Sequence, residues 1–177
     1  SADYAWNNLH SDMPQFAYPV RHTLLNVLAG KYVNDYLLIT GSMLHTSVLE
    51  NTRLGEQAAN QSKWSPYISF SLLPMPSQDL RIRFFYKNIF RMPTFNDLYY
   101  SRIGNPKLKP EDAHQLNAGI TYGFSAGELL EHLSLTADIY HNKVKNKIVA
   151  YPTKNIFEWT MLNYGLVHIN GIDLGGD

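Results

Sequence analysis

Alternation of apolar and polar residues with a period of two is the feature of this sequence that most constrains its fold. In residues 114–124 one parity holds Leu116, Ile120 and other mostly apolar side chains, and the other parity holds polar residues and glycine. Successive side chains of a β-strand point to opposite faces, so this period predicts a strand with one apolar and one polar face. The pattern recurs, with varying regularity, in six further segments: 23–29, 37–46, 67–72, 80–87, 133–142 and 164–174.

These seven predicted strands are accompanied by almost no helical periodicity. Only residues 128–132 look helical, and so short a helix is not stable on its own. We therefore predict an all-β fold. Within 164–174 the apolar parity changes at Asn170-Gly171, which predicts a β-bulge at Gly171 that absorbs the extra residue.

The connections between the predicted strands alternate in length. In an antiparallel up-and-down meander successive connections lie at opposite ends, so this alternation collects all the long loops at one end. Outer-membrane barrels show that asymmetry, whereas the Greek-key connections of a soluble β-sandwich do not sort loops by length. The pattern favours the wall of a transmembrane barrel. The short connections are 30–35, 74–79 and 125–132, and the long ones are 50–63, 91–111 and 150–163.

The number of strands is too small for a closed barrel. Bacterial barrels have an even number of strands from eight upward, and an open edge within lipid would leave backbone groups unpaired. The sequence also begins without a signal peptide and stops in a strand-like pattern. We therefore expect the chain to be one sector of a larger wall.

Composition excludes several other classes of protein. Fifteen Lys and Arg balance fifteen Asp and Glu, so no net charge attracts nucleic acid. The absence of cysteine removes thiolate metal sites and cysteine nucleophiles. The histidines are dispersed without ligand spacing, and no nucleophile elbow or P-loop is present. We predict no catalytic residue, no metal site and no cofactor, and thus no enzyme. The histidines are His10, His22, His45, His114, His132, His141 and His168.

Two phrases in the middle of the chain resemble a known signature. Residues 90–100 read FRMPTFNDLYY, and residues 104–111 read GNPKLKPE. The pair resembles the signature of TonB-dependent outer-membrane receptors, in which F-R-A-P-T-x-x-x-L-Y ends one strand and G-N-P-x-L-K-P-E opens the next. Met92 stands where the family usually has alanine. Pro93 and the other prolines of these phrases cannot donate ladder hydrogen bonds, so the connection is a stiffened loop outside the sheet.

Two later phrases continue the resemblance. Residues 133–148 are similar to the family's strand with the ending Y-x-N-x-V/I-x-D-x-I, with Asn146 in place of the acid. Residues 163–173 are similar to the phrase N-x-G…I-x-G-V/I-E, with Asp173 in place of glutamate. The four phrases occur in the family's order, and the resemblance extends from about residue 65 to residue 174.

The resemblance implies a 22-stranded barrel closed around a plug domain, as in plugged outer-membrane transporters. Residues 1–177 would be a partial barrel domain, and the plug and the remaining strands would lie outside this chain. The implied function is energy-coupled uptake of a scarce, bulky nutrient, such as a ferric siderophore or cobalamin, across the outer membrane of a Gram-negative bacterium. The implied partners are outer-membrane lipid, the nutrient itself (siderophore, haem, cobalamin or glycan) and the TonB complex acting through the plug. Nucleic acid is not an expected partner.

Two alternatives remain open from the sequence. A soluble β-sandwich that binds carbohydrate would have its apolar parity packed between two sheets instead of facing lipid. An outer-membrane channel without a plug would share the barrel wall and differ in the sequence that precedes this chain.

Candidate ligand-binding residues lie in the long loops and carry aromatic rings or guanidinium groups, which often dominate binding energies. Trp159 is the first choice because it is predicted to lie deepest in its loop. The other interpretation of the aromatic residues is a girdle at the lipid interface. The candidates are Arg53, Tyr99, Tyr100, Arg102, Tyr151, Phe157 and Trp159.

The segment 80–110 is the most basic part of the chain, with seven of the fifteen Lys and Arg against one acid, Asp97. Arg81, Arg83 and Lys87 share the polar parity and are predicted to face the lumen. They could pair with acidic residues of the absent plug. Alternatively, they could form a basic vestibule that attracts an anionic ligand such as a ferric siderophore.

Overall fold

A computed structural model describes residues 1–75, 79–124, 133–154 and 157–176 of the chain. These residues form one antiparallel sheet of eight strands whose spatial order is the order of the sequence. The predicted all-β up-and-down meander is confirmed. The strands are β1 (Ala2–Asn8), β2 (Val20–Val33), β3 (Leu37–Asn51), β4 (Gln61–Leu72), β5 (Asp79–Arg91), β6 (Glu111–Phe124), β7 (Leu133–Pro152) and β8 (Trp159–Gly176), and one short helix, α1 (Phe95–Tyr99), precedes β6.

The first strand was missed by the periodicity, which predicts seven strands. It has seven residues, all of them exposed, and Tyr4 and Trp6 are its large apolar side chains. It pairs with β2 from Ala2↔Asn26 to Asn8↔Val20. Two aromatic residues are too few to establish a period of two, so the pairing with β2 identifies this strand where the pattern does not.

The register places large apolar side chains on one face of the sheet, here called the apolar face. One row of directly opposed residues on this face crosses seven strands: Tyr32, Ile39, Phe70, Phe84, Ala118, Ile139 and Ile172. Most of these side chains are exposed, and within the described chain no second sheet covers them. This arrangement is that of a barrel wall and not of a sandwich, which buries its apolar side chains between two sheets.

Charge is excluded from the turn half of the apolar face. Among the described residues of β2 to β8, none of the side chains of this face within the seven positions nearest the turn end is charged. The opposite face, here called the polar face, has a row from Ser71 through Arg83 and Gly119 to Asp138 and Asp173. The two faces therefore differ as the period of two predicts.

The described connections are sorted by end, with one exception to the predicted lengths. Residues 9–19, 52–60 and 92–110 are long and share the loop end with 153–154 and 157–158, and 34–36 form a tight turn at the other end. The predicted long loop 150–163 is wrong, because β7 and β8 continue pairing up to Pro152↔Trp159. The predicted connection and helical stretch within 125–132 lie outside the described residues.

The predicted bulge at Gly171 is also wrong. Strands β7 and β8 pair in one register from Leu135↔Gly176 to Lys145↔Leu166, so the even positions of β8 stay on the apolar face throughout. The odd apolar residues Val167 and Ile169 belong to the polar face, where Val167 is paired with the buried Val144 and Ile169 is 46% exposed. Apolar residues on the polar face near the loop end therefore produce the change of parity that looks like a bulge.

Pairing between β4 and β5 is the shortest of those between described long strands. It extends only from Tyr67↔Lys87 to Leu72↔Ile82 and stops next to Pro66, which has no N–H for the ladder. Beyond that point Lys63 Nζ on β4 donates to Asp112 Oδ2 on β6 at 2.9 Å. Pro66 thus limits the hydrogen-bonded ladder between β4 and β5.

The main apolar cluster lies over the polar face at the loop end. Residues 92–110 fold back over this face, and Leu98 and Leu108 pack with Ala58 and Ile148. The loop-end part of β3 is covered there, because Val48 is fully buried. No helix in the described part of the chain is long and apolar enough to span a membrane.

Candidate ligand-binding site at the loop end

Residues 92–110, here called the signature loop because they hold most of the first two phrases, begin with a capped helical turn. Thr94 Oγ1 accepts a hydrogen bond from the Asp97 backbone N–H at 3.1 Å, and the Asp97 carboxylate accepts one from the Thr94 backbone N–H at 2.8 Å. This capping box satisfies two backbone donors at the start of α1. Pro93, fully buried before the cap, fixes the entry of the chain. The sequence PTFND therefore forms a local stop to β5 and turns the chain inward.

Tyr99, at the end of α1, anchors this loop to β3. Its hydroxyl donates to Glu50 Oε1 at 3.3 Å and accepts from the Ala58 backbone N–H at 3.1 Å. The Glu50 side chain is fully buried and is paired with Arg21, whose Nε lies 2.7 Å from Oε2. The Arg21 guanidinium in turn stacks 4.9 Å from the centre of the Phe95 ring. We call Arg21, Glu50 and Tyr99 the anchor network.

Burial raises the pKa of the Tyr99 hydroxyl to about 12. The negative charge of Glu50 acts in the same direction, while the hydrogen bond from Ala58 opposes the shift. The phenol therefore stays protonated and can donate to the carboxylate over the whole neutral range.

The second half of the loop is attached to β7 and β8. Lys109 exchanges two hydrogen bonds with Asn163, each of 2.8 Å, and Asn163 also donates to the Asn146 carbonyl at 2.9 Å. Nearby, Asn105 Nδ2 donates to the Met161 carbonyl at 3.1 Å. These contacts join three of the four phrases that carry the resemblance, and thus the phrases describe one folded unit.

Glu111, the last residue of the second phrase, closes this unit. Its Oε1 accepts from the Ile148 backbone N–H at 2.8 Å and lies 3.0 Å from Arg91 Nη1 and 3.2 Å from Lys147 Nζ. Strand β6 begins at Glu111, and its last pair with β7 is Asp112↔Lys145. The carboxylate therefore replaces the backbone partner that the ladder no longer supplies to Ile148.

Between the loop and the β7–β8 hairpin lies a cleft of about 910 Å³. Four of the seven predicted ligand-binding residues line it: Tyr100, Arg102, Phe157 and Trp159. Sequence reasoning missed the remaining lining residues, which are Ser101, Ile103, Thr153, Glu158 and Thr160. The cleft thus combines aromatic faces, a guanidinium group, hydroxyls and one carboxylate, a set suited to a large ligand with both polar and apolar surface.

The backbone is closely packed in the turn that carries Tyr100 and Arg102. The Gly104 N–H donates to the Tyr100 carbonyl at 2.7 Å, and a Cβ at Gly104 would lie 2.6 Å from the Tyr100 nitrogen. Only glycine permits this approach. Arg102 adopts a left-handed φ of 73° in the same turn. The turn therefore fixes where the guanidinium group leaves the backbone.

The other three candidates lie away from the cleft lining. Arg53 stacks 5.9 Å from the Tyr18 ring, and Tyr99 is only 8% exposed within the anchor network. Tyr151 is not in a loop but in β7, where it pairs with Thr160 and is 53% exposed. Trp159 lines the cleft, but its predicted position deep in a loop was wrong, because it opens β8.

The three basic candidates occupy the polar face, as their parity predicts. Arg83 Nη2 lies 2.9 Å from Asp138 Oδ2, and its Nη1 donates to Thr121 at 2.6 Å. Arg83 therefore has an acidic partner within the sheet itself. Arg81 and Lys87 are exposed on the same face.

Residues that could hold a metal ion do not converge. Within the described part of the chain no group of three or more His, Asp or Glu side chains has the geometry of a metal site.

Comparison with known proteins gives the class of this chain. Residues 31–177 match the model of the family described as "TonB dependent receptor-like, beta-barrel". The chain belongs to this family, which is one of receptors and transporters and not of enzymes. The resemblance seen in the four sequence phrases is confirmed.

Individual relatives cover different shares of the chain. The vitamin B12 transporter BtuB of Vibrio vulnificus is 34% identical over 85 residues, which make up 48% of this chain and 13% of that protein. BtuB of Photobacterium profundum is 32% identical over 89 residues, 48% of this chain and 14% of that protein. The match thus spans about one seventh of the length of these relatives.

A solved structure shares the fold over most of the chain. The FrpB iron transporter from Neisseria meningitidis (F5-1 variant, apoprotein form) superimposes with a TM-score of 0.66 at 14% identity. The superposition covers 91% of this chain and 24% of that structure. The fold of this chain therefore matches about a quarter of the neighbour's chain.

Proposed function

We propose that this chain is a sector of the barrel of an outer-membrane receptor for TonB-dependent uptake of a scarce, bulky nutrient. The observation that carries the proposal is the apolar face, which is exposed and uncharged over the turn half of seven consecutive strands in the described part of the chain. Lipid is the environment in which such a face is stable, and barrel strands need only about 9 to 11 residues to cross the bilayer. The strands here have up to 20 residues and extend beyond the bilayer at the loop end.

The polar face then lines the lumen, and the loop end faces the cell exterior. Residues 1–177 are a partial barrel domain, and further strands and a plug domain complete a barrel of 22 strands. Two free sheet edges support this part of the proposal, because β1 and β8 each have one neighbour in the sheet and unpaired edges are costly in lipid. The TonB complex acts through the plug.

The ligand binds at the cleft between the signature loop and the β7–β8 hairpin. Tyr100 and Trp159 offer aromatic faces there, and Arg102 and Glu158 offer charges of both signs. The cleft offers cobalamin or a ferric siderophore both aromatic faces and charged groups, and the relatives at 34% and 32% identity are named as vitamin B12 transporters. Haem and glycans are the remaining candidates.

Affinity measurements on the full-length receptor in detergent test the ligand site. Trp159→Ala should weaken binding of cyanocobalamin or ferric enterobactin by about tenfold or more, as expected for a central aromatic contact. Tyr151→Ala is the matched control, since this aromatic residue is similarly exposed but does not line the cleft. Equal affinities for the two variants and the wild type would show that the cleft is not the binding site.

Uptake by cells tests the class of function. Cells that express the full-length receptor should accumulate radiolabelled ligand only when the TonB complex is intact. Accumulation that continues without TonB would identify a passive channel and would contradict the proposal.

A further inference from the structure

The hydrogen-bonded ladder between β4 and β5 ends before either strand does. The described pairs stop at Tyr67↔Lys87, whereas β4 begins at Gln61 and β5 continues to Arg91. Residues 61–66 still pair with β3, and residues 88–91 still pair with β6. In the described chain these two segments therefore adjoin each other without ladder pairs, and we call them the seam.

The side chain of Lys63 passes through the seam from one face of the sheet to the other. Lys63 is directly opposed to Thr46, and the register places both on the polar face. Asp112 is opposed to Phe90 and lies on the apolar face. Lys63 Nζ is nevertheless 2.9 Å from Asp112 Oδ2. The lysine reaches this carboxylate across the place where β4 and β5 are unpaired.

The Asp112 carboxylate collects further polar groups around the seam. Its Oδ1 accepts a hydrogen bond from Asn88 Nδ2 at 2.6 Å, and His114 Nε2 lies 3.6 Å from its Oδ2. The Tyr86 hydroxyl is 2.8 Å from Nδ1 of the same histidine. Both carboxylate oxygens are thus engaged, and the ammonium group of Lys63 stands where a metal ion would bind.

Two buried polar atoms at the start of the seam are left over from this network. They are Ser65 Oγ on β4 and Asn88 Oδ1 on β5, and neither has a hydrogen-bond partner within the described chain. Each residue is only 5% exposed and lies within two positions of the last ladder pair. Ordered water commonly satisfies buried atoms of this kind, because it can donate to an amide oxygen and can bond to a hydroxyl in either direction.

A cavity of about 530 Å³ adjoins the seam and offers space for water. Gln61 and Lys63 of β4 line it from one side, and Phe90 of β5 and Asp112 of β6 from another. Residues 106–110 of the signature loop complete much of the remaining lining. The space therefore lies between the unpaired ends of the strands and the loop that returns to β6.

The charges of this cavity favour water over a metal ion. Lys63, Lys107 and Lys109 place three ammonium groups in the lining, against the single carboxylate of Asp112. The next acid, Glu56, lies 3.8 Å from Lys107 Nζ and is itself well exposed. A net positive lining repels metal cations, so water is the ligand that suits both the charges and the two unpartnered atoms.

The seam lies near the loop-side limit of the apolar band expected for an outer-membrane barrel. Asn88 follows Asp79, the first residue of β5, by nine positions. With a rise of about 3.3 Å per residue and a strand tilt of about 40°, this corresponds to a height of about 23 Å, and the apolar band is about 25 Å tall. The loop end of the seam is therefore within reach of water.

We propose that the seam is a hydrated side opening in the barrel wall, which holds ordered water at Ser65 and Asn88 and which Lys63 keeps closed to larger solutes. The inference rests on the proposed function, because the sheet separates a lumen from the exterior only as part of a barrel. Water exchanges through the seam, while the Lys63–Asp112 ion pair blocks the passage of solutes the size of a small organic reagent.

Thiol modification of the full-length receptor in detergent tests this opening. The chain contains no cysteine, so Ser65→Cys introduces one target, and its reaction with neutral methyl methanethiosulfonate is followed by mass spectrometry of the peptide that contains it. Adding Lys63→Ala should raise the reaction rate about fivefold, as the loss of a partly exposed ion pair implies. Lys63→Arg should keep the slow rate, because arginine can still reach Asp112.

Two matched controls separate closure by Lys63 from other effects. Ser69→Cys places the target on the same strand and face, but within the paired part of the ladder opposite Phe85, and its rate should not respond to Lys63→Ala. Lys107→Ala removes a lysine from the same cavity without breaking the connection between the two faces. It should leave the rate at position 65 unchanged.

A second measurement requires no variant. A high-resolution crystal structure of the unaltered receptor should show ordered water bonded to Ser65 Oγ and Asn88 Oδ1. A dry seam would overturn the proposal, as would an unchanged rate at position 65 in Lys63→Ala or an equal acceleration by Lys107→Ala. Equal acceleration at position 69 would also overturn it, because it would indicate general loosening of the sheet.

Heat-dependent migration of the receptor in SDS gels reports on the barrel separately. Each variant should migrate as a folded barrel before heating, which shows that its reaction rate belongs to the native wall. A full-length receptor that never forms such a barrel would contradict the outer-membrane function. A folded barrel with a dry seam would contradict the side opening alone.

Discussion

Removing Arg21 from the anchor network should loosen the signature loop without touching the ligand cleft. The Glu50 side chain is fully buried, and Arg21 donates to both of its carboxylate oxygens, at 2.7 and 3.2 Å. Arg21→Met keeps the length of the side chain but leaves a buried carboxylate with Tyr99 as its remaining side-chain donor among the described residues. Breaking a buried ion pair in this way costs about 3 to 5 kcal/mol.

The cost should be largely reversed when both charges are removed. Replacing a buried ion pair by apolar side chains of similar volume is often neutral, so the double variant Arg21→Met/Glu50→Met should recover most of the lost stability. Arg53→Met is the matched control, because this exposed arginine stacks on an aromatic ring and has little to lose. Its expected effect is below about 1 kcal/mol.

Two measurements on the full-length receptor check this reasoning. Urea unfolding gives the free energy of unfolding for each variant, and hydrogen exchange reports on the backbone N–H of Ala58, which donates to Tyr99. Arg21→Met should lower the free energy of unfolding and speed the exchange of the Ala58 N–H. Stability and exchange equal to the wild type would refute the anchor network as the support of the loop. A double variant no better than Arg21→Met would refute the electrostatic origin of the cost.

Three further predictions concern single features. The pKa of Tyr99 is raised to about 12 from a usual value of 10, so the neutral phenol stabilises the fold fully below pH 10, and this contribution disappears as the pH rises to 12; thermal unfolding should show the loss in the wild type and not in Tyr99→Phe. Gly171→Ala should lower the melting temperature, because a tyrosine ring occupies the space of the new Cβ, whereas Gly165→Ala, with open space, should not. If Arg81 and Lys87 form a basic vestibule, affinity for an anionic siderophore should fall with ionic strength, and a flat response would contradict it.

The fold could be predicted where the two faces of a strand meet different environments. The alternation of apolar and polar residues in 80–87 and 114–124 predicts strands, and these segments lie within β5 and β6. The pattern fails at the loop end of β7 and β8, where the strands extend beyond the uncharged zone and the polar face packs against the loop. Residues 150–163 lack alternation for this reason, so their sequence resembles that of a loop.

The candidate site could be predicted only in part, because its members meet through register. Tyr100 and Trp159 are aromatic residues, which are common in binding sites, and the sequence predicted both for that reason. Arg21 and Glu50 are 29 residues apart and belong to the part of the chain outside the four phrases. The proximity of Arg21 and Glu50 depends on which residues are opposed across neighbouring strands. A period of two does not give this register.

The contacts of the signature loop with β7 and β8 explain why the four phrases occur together. On one side Tyr99 fixes the loop to β3, and on the other Lys109 and Glu111 fix it to β7 and β8. The loop therefore crosses the polar face as a brace between distant strands, and the cleft lies beside its attachment to the β7–β8 hairpin. A ligand that contacts both walls of the cleft binds to surfaces already held in place, so little binding energy is lost in ordering them. Substitutions that alter ligand choice are then expected at the lining residues, and substitutions in the anchor network should weaken the binding of any ligand that uses the cleft.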